Sequence, residues 1–171
     1  GVPYEEAMRL FRWPRPERFN IGRAVCERHP AEALALIVEN ADGSVRNWTF
    51  GQLLTASSRL ANTLKAKGIA RGDRVGVFLS QGAELTICHL AGYRMGAVVL
   101  PLFTLFGEEA LEYRLSNAEA SALITDMSQL PKVLAVRDRL PHLKTLVVIG
   151  AGANGAAFFD WDRVLAAASD S

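Results

Sequence analysis

A chain of 171 residues, 50% of them hydrophobic, is long enough to bury a core of its own. Its 19 basic and 18 acidic side chains leave a formal net charge of +1 with no basic run, which excludes the electrostatic footprint of a nucleic-acid surface. Apolar stretches are broken every few residues by Gly, Pro or charge, so none approaches the about 20 residues a membrane-spanning helix needs.

The start, Gly1-Val2-Pro3-Tyr4-Glu5-Glu6, carries acids and no Met, so no secretory signal is expected and an artificial or processed start is. Residues 1–20, with Phe11, Trp13, Pro14, Pro16 and Phe19, read as an extended arm whose aromatics need a surface to cover. Phe19 to Arg28 reads as a short helix ended before Pro30, because the residue preceding proline is pushed out of the helical region. Ala33 to Glu39, the dipeptide Asp42-Gly43 and Val45 to Trp48 spell an antiparallel hairpin with a tight turn. Thr49-Phe50-Gly51-Gln52 matches a capping box. The helix it opens carries Phe50, Leu53, Leu54, Leu60, Ala61 and Leu64 on one face and ends near Gly68, placed for a left-handed cap.

Beyond Gly68 the chain alternates. Strands are predicted at Arg74 to Leu79, Ala97 to Leu102, Ala120 to Thr125 and Thr145 to Ile149. Helices are predicted between them at Ala83 to Met95, Glu108 to Asn117 and Leu130 to Leu140. Strand, helix, strand implies parallel pairing with right-handed crossovers, and the nearly unbroken Val, Leu and Ile runs imply strands covered on both faces. The predicted fold is therefore α/β: a mostly parallel sheet flanked by helices on both faces, preceded by the arm and the hairpin.

Chemistry is harder to find. Gly150-Ala151-Gly152-Ala153-Asn154-Gly155 spells GxGxxG after a strand. A dinucleotide site would need those glycines to open a helix, and a second strand further on. Phe158-Phe159-Asp160-Trp161 and a short helix from Asp162 to Ala168 follow instead, so no second strand of such a unit is expected and the loop reads as a flexible surface connection. Gly72-Asp73 reads as a turn, Glu108 and Glu109 as acids at a helix start, and Glu112, Tyr113 and Arg114 as a solvated helix face. Lys65, Lys67, Lys132 and Lys144 adjoin no glycine-rich loop that could cradle phosphates. Cys26 and Cys88 have no CxxC or Cys/His spacing, which suggests neither a metal cage nor a disulfide framework and makes a cytoplasmic setting the expectation. His29, His89 and His142 stand alone, and no Ser/His/Asp grouping appears.

The order of segments says more. Pro16-Glu17-Arg18-Phe19-Asn20, Trp48-Thr49-Phe50-Gly51-Gln52-Leu53, Ser58-Arg59-Leu60-Ala61-Asn62 and Gly72-Asp73-Arg74-Val75 are followed by Gly96-Ala97-Val98-Val99-Leu100-Pro101-Leu102-Phe103. Leu105-Phe106-Gly107-Glu108-Glu109-Ala110-Leu111 and Tyr113-Arg114-Leu115 complete the series. The series resembles the N-terminal part of AMP-forming acyl-CoA synthetases, and Phe19-Asn20 with Leu102 to Gly107 is most similar to the acetyl- and medium-chain branch.

The resemblance implies that residues 1–171 are an N-terminal subdomain of a larger AMP-binding fold. Its partner would be the remainder of the same polypeptide, and its exposed apolar surface would favour self-association. The parent reaction it implies joins a carboxylic acid to CoA through an acyl-adenylate, using ATP and Mg. No cofactor is expected in the 171 residues alone, since the family's phosphate loop and C-terminal lysine lie downstream, and no catalytic residue carries over. Phe103, Thr104, Leu105 and Arg114 resemble a region near the CoA nucleotide in relatives; the plainer reading, which the residues favour, is that they join a strand to a helix. Two other readings stay open: a stand-alone α/β binding module, and a relative with a different acceptor.

Overall fold

The computed structural model describes residues 1–12 and 16–170. Helix α1 occupies Tyr4–Leu10, where the composition predicted an extended arm, with Glu5 and Glu6 in its first turn and Arg9 in its last, matching the helix dipole. None of its residues is buried. Trp13 and Pro14, two of the residues expected to cover a surface, lie outside the described residues.

The helix predicted over Phe19 to Arg28 is shorter and wider: it starts at Ile21 and is π-helical over Arg23–Glu27. Asn20 is the reason it starts late. Its Oδ1 accepts from the Arg23 amide at 3.1 Å, while its Nδ2 donates to the carbonyls of Tyr93 and Arg94 at 3.1 and 3.0 Å. The side chain thus belongs to a tertiary clamp, and Phe19 is left outside, 63% exposed.

Strands β1 (Leu34–Glu39) and β2 (Val45–Thr49) form the expected antiparallel hairpin, from Glu39 opposite Val45 to Leu34 opposite Thr49, with a bulge between Leu34 and Leu36. Its connection is a wider loop than a two-residue turn: the Asn40 amide donates to the Ser44 carbonyl, Asp42 accepts from Ser44, and Gly43 takes φ 79°. Thr49 then caps α2 (Phe50–Ala66) in the predicted box, donating its amide to Gln52 Oε1 at 2.9 Å and accepting the Gln52 amide at 3.2 Å. Leu53, Leu60, Ala61 and Leu64 are buried as their spacing requires.

The second sheet has five parallel strands in the order β4-β3-β5-β6-β7. They are β3 (Arg74–Phe78), β4 (Val98–Pro101), β5 (Ala122–Asp126), β6 (Thr145–Ile149) and β7 (Phe159–Asp160). Alternate residues go to opposite faces. Val75, Val77, Ala122, Ile124 and Val147 face one core layer with α2 and α3 (Ala83–Met95). Phe78, Leu123, Leu146 and Val148 face a second layer with α4 (Glu108–Asn117) and α5 (Leu130–Val136). Leu111 and Leu115 of α4 are 0% and 1% exposed, and each leucine buried this fully contributes about 1.5–3 kcal/mol.

Two sequence expectations are corrected near the end. The helix predicted over Leu130 to Leu140 is α-helical only to Val136 and finishes as a 3-10 turn, Arg137–Arg139. A further strand does follow the Gly-rich loop. β7 pairs parallel with β6, Val147 with Phe159 and Val148 with Asp160. Asp160 makes this possible: its amide donates to Asn154 Oδ1, while its buried carboxylate accepts from the Gly152 amide and caps α6 (Trp161–Ala167) through the Arg163 amide. Gly150 to Ala157 is therefore pinned from β7.

Candidate functional site

Because the five strands run the same way, the loops after them gather along one edge of the sheet. β3 leads through α3, on one face, to β4. β4 leads through α4, on the other face, to β5 on the far side of β3. The crossovers therefore diverge between the carboxyl ends of β3 and β5, the place where open α/β sheets leave a crevice for ligands. Thr125 ties these two strand ends together, its buried hydroxyl donating to the Phe78 carbonyl at 3.1 Å.

Asp126, the last residue of β5, is already committed. Its Oδ1 accepts from the Ser128 amide at 2.9 Å, the Ser128 hydroxyl at 2.6 Å and the Gln129 amide at 3.0 Å, which turns the chain into α5. That carboxylate is structural.

The four residues singled out in the sequence lie on the neighbouring loop between β4 and α4. Phe103 is 70% and Leu105 87% exposed, against the trend for side chains of their hydrophobicity. The Phe103 and Phe106 rings lie 6.0 Å apart, and the Arg114 guanidinium sits 4.3 Å from the Phe106 centroid, a cation–π contact. Thr104 takes part through its carbonyl, which accepts from Lys132 Nζ at 2.9 Å. Phe103 and Arg114 thus flank Phe106, Thr104 is tied to α5 through Lys132, and Leu105 stands out into solvent.

Sequence reasoning missed two members of this cluster. Phe106 had a signal, since it lies inside the Leu102 to Gly107 run. Lys132 had none: it is 28 residues from Thr104 and arrives only because α5 packs beside α4. The expected solvated face of α4 is also more engaged than its composition implies, with Glu112 accepting from Arg139 at 2.8 Å.

Chemically, this edge offers one exposed aromatic ring, Phe103, near a guanidinium, a combination that holds flat anionic groups by stacking and charge. It offers no nucleophile paired with a base. His29 stacks on Phe50 at 4.2 Å and His89 bonds Tyr93 on α3, both away from this loop. Among the described residues no three His, Cys, Asp or Glu side chains come together as metal ligands, and no helix is long and apolar enough to cross a membrane. The Gly-rich loop does not act as a phosphate cradle, since it opens no helix and its Gly152 amide is spent on Asp160.

Together these features define a parallel α/β layer with a ligand-accessible carboxyl edge, and comparison with known proteins specifies it further. The family model described as AMP-binding enzyme matches residues 22–166. The chain belongs to this family. It is 31% identical to an acetyl-coenzyme A synthetase of Bacillus subtilis (strain 168), an alignment that takes in 94% of this chain and 30% of that protein. Among solved structures it resembles an anthranilate CoA ligase in complex with anthranoyl-AMP, with a TM-score of 0.83, 26% identity, and 92% of this chain covered against 30% of that one. An acyl-CoA synthetase of Brucella canis gives the same TM-score and identity over 99% of this chain and 31% of its own. The chain spans about a third of the length of these relatives.

Proposed function

We propose that this chain is the N-terminal subdomain of an AMP-forming acyl-CoA synthetase, and that it forms one wall of that enzyme's large domain. The observation that carries the reading is the match of the family model over residues 22–166, with relatives that are acyl-CoA ligases. The parent enzyme takes a carboxylic acid and ATP to an acyl-adenylate and pyrophosphate, then transfers the acyl group to the CoA thiol. It works in the cytoplasm.

In this reading the carboxyl-edge loop is the wall's contribution to the CoA site. Phe103 supplies a face on which an adenine can stack, and Arg114, held over Phe106, supplies a cation for a phosphate of the CoA nucleotide. Thr104 and Leu105 shape the turn that presents them. CoA suits these residues; the ATP triphosphate and its Mg do not, because no loop here cradles phosphates and the Asp126 carboxylate is occupied by its own turn. Those groups belong to other parts of the parent enzyme. The 171 residues alone are inactive.

The test is expression of the whole natural open reading frame, with acid-dependent pyrophosphate release measured for acetate, a medium-chain acid and an aromatic acid, with and without CoA. Activity that needs both the acid and ATP is expected, and Arg114→Ala should raise the KM for CoA with the KM for ATP unchanged. Absence of release with all three acids would overturn the ligase reading. Equal effects of Arg114→Ala on both KM values would overturn the placement of CoA.

A further inference from the structure

The opposite edge of the sheet, where the strands begin, carries a second feature that the ligase reading does not use. A groove of 1220 Å³ lies between the N-terminal segment before and through the π-helical turn and the loops that enter β3 and β4. Among the described residues five arginines line it: Arg18, Arg23, Arg28, Arg71 and Arg94. Two described carboxylates do, Glu17 and Glu27.

The charges do not cancel locally. Glu27 accepts from Arg23 Nε at 2.7 Å and from Arg94 Nη1 at 2.8 Å, so one carboxylate already serves two guanidinium groups and is held below its ordinary pKa by both. Arg18, Arg28 and Arg71 are exposed and have no ion-pair partner among the described residues. The Arg71 stem runs over Gly96, where the absence of a Cβ leaves room for it. Arg94 is anchored from behind by the Asn20 clamp on its carbonyl. Glu27 and the Asn20 clamp thus fix Arg23 and the Arg94 segment, beside which Arg18, Arg28 and Arg71 remain available to a ligand.

We propose that this groove is a docking surface for an acidic polypeptide segment. Guanidinium groups match carboxylates in a fork geometry, so a row of arginines suits Asp and Glu side chains in particular. The volume exceeds the roughly 300–1,000 Å³ of small-ligand pockets, which calls for an extended occupant in place of a single phosphate. A nucleic acid is the weaker fit, since a sequence pI of about 8.0 and a net charge of +1 fall short of the basic footprint such partners require.

The test is fluorescence anisotropy of a labelled oligo-glutamate peptide with the 171-residue chain at low salt, with oligo-glutamine, oligouridylate and inorganic phosphate as comparisons. Saturable oligo-glutamate binding that weakens as salt rises is expected. The double reversal Arg28→Glu with Arg71→Glu should weaken it about tenfold or more, the scale of one or more lost charge-assisted contacts. The charge-matched reversal Lys65→Glu with Lys144→Glu, outside the groove, should leave it within about twofold, well under one such contact. Should the arginine reversal fail to show a cooperative thermal transition, Arg28→Gln with Arg71→Gln carries the comparison. The proposal is overturned by absence of saturable oligo-glutamate binding, by equal weakening in the lysine reversal, by tighter binding of oligouridylate, or by displacement of the peptide by equimolar phosphate.

Discussion

The Lys132 ammonium reaches from α5 to the main-chain carbonyl of Thr104, 2.9 Å away, and ties the loop between β4 and α4 to the body of the domain. Lys132 is half-buried, and its Nζ also lies 5.7 Å from the Phe78 ring centroid. Lys132→Met keeps most of the stem and removes the donor. It should cost about 1 kcal/mol, near the net value of a single hydrogen bond. It should also speed hydrogen exchange at the Phe106 amide, which is bonded to the Phe103 carbonyl across the same turn at 2.9 Å. Unchanged protection at Phe106 would show that the lysine does not hold the loop.

Gly76 marks the tightest packing of β3 against the α4 layer. A Cβ built there would lie 2.8 Å from Leu123 Cδ1 and 3.0 Å from Leu115 Cδ2, two side chains that are themselves almost fully buried. Gly76→Ala should therefore destabilise by about 1–3 kcal/mol through overpacking, despite adding apolar volume and β propensity. Urea unfolding reads the loss. A second-site Leu123→Val, which shortens the nearest neighbour, should recover part of it, because the two positions share one space.

Thr49 tests how far local chemistry alone sets a boundary. Thr49→Ala removes the acceptor for the Gln52 amide and should cost about 1 kcal/mol, whereas Thr49→Ser should be close to neutral. Gln52→Ala removes the reciprocal bond to the Thr49 amide. The double variant should lose less than the sum of the singles if the box acts as a unit, and thermal melts of the four proteins decide this.

That capping box also shows which parts of the fold can be read from sequence. Thr49 and Gln52 are three residues apart and their chemistry is complete within that window, as are the caps at Gly68 and Gly96 with φ of 83° and 75°. The limits of α3 and α4 and the parallel pairing of β3 to β6 are written in the same local code. Features that depend on a distant partner left no such trace. Asn20 reads as part of a helix begun at Phe19 until Tyr93 and Arg94, more than 70 residues on, claim its amide group. β7 is two residues long, too short for any alternation, and exists because Asp160 is bonded on three sides. At the carboxyl edge Phe103, Thr104 and Arg114 were legible as a group only through the family resemblance, and Lys132 not at all.

The two cysteines should be chemically silent in the native state. Burial pushes the Cys88 thiol well above its ordinary range, with the charge of Glu84 adding to the shift. Cys26 is raised chiefly by burial too, which outweighs the opposing pull of Arg94. The thiolate is the reactive form, so neither should titrate with a disulfide reagent near pH 8 until the chain is unfolded. Rapid modification of Cys26 in the native protein would show that the clamp holding the N-terminal segment on α3 opens readily, since Cys26 lies in the turn held by Glu27 and Arg94.

His89 supplies a pH dependence with a definite sign. It sits half-buried on α3 with Nδ1 3.0 Å from the Tyr93 hydroxyl, and burial lowers its pKa from the ordinary 6.5 by disfavouring the imidazolium. Above about pH 6.5 both folded and unfolded chains carry it neutral, and the stability linked to the group is fully present. As the pH falls below that value the unfolded chain takes up a proton the folded one resists, so stability declines until the folded pKa is passed. Glu27 behaves alike in a lower window: its folded pKa is depressed by the hydrogen bond from Arg23 first and Arg94 second, so its contribution is lost only below its ordinary 4.5. The interval between the two ordinary values therefore isolates His89. His89→Gln, which keeps a polar partner for Tyr93 and does not titrate, should flatten the fall in urea midpoint between about pH 6.5 and 5 that the wild type shows. An identical slope in both proteins would mean that the imidazole is charged as easily in the fold as out of it, and that its burial on α3 carries no energetic weight.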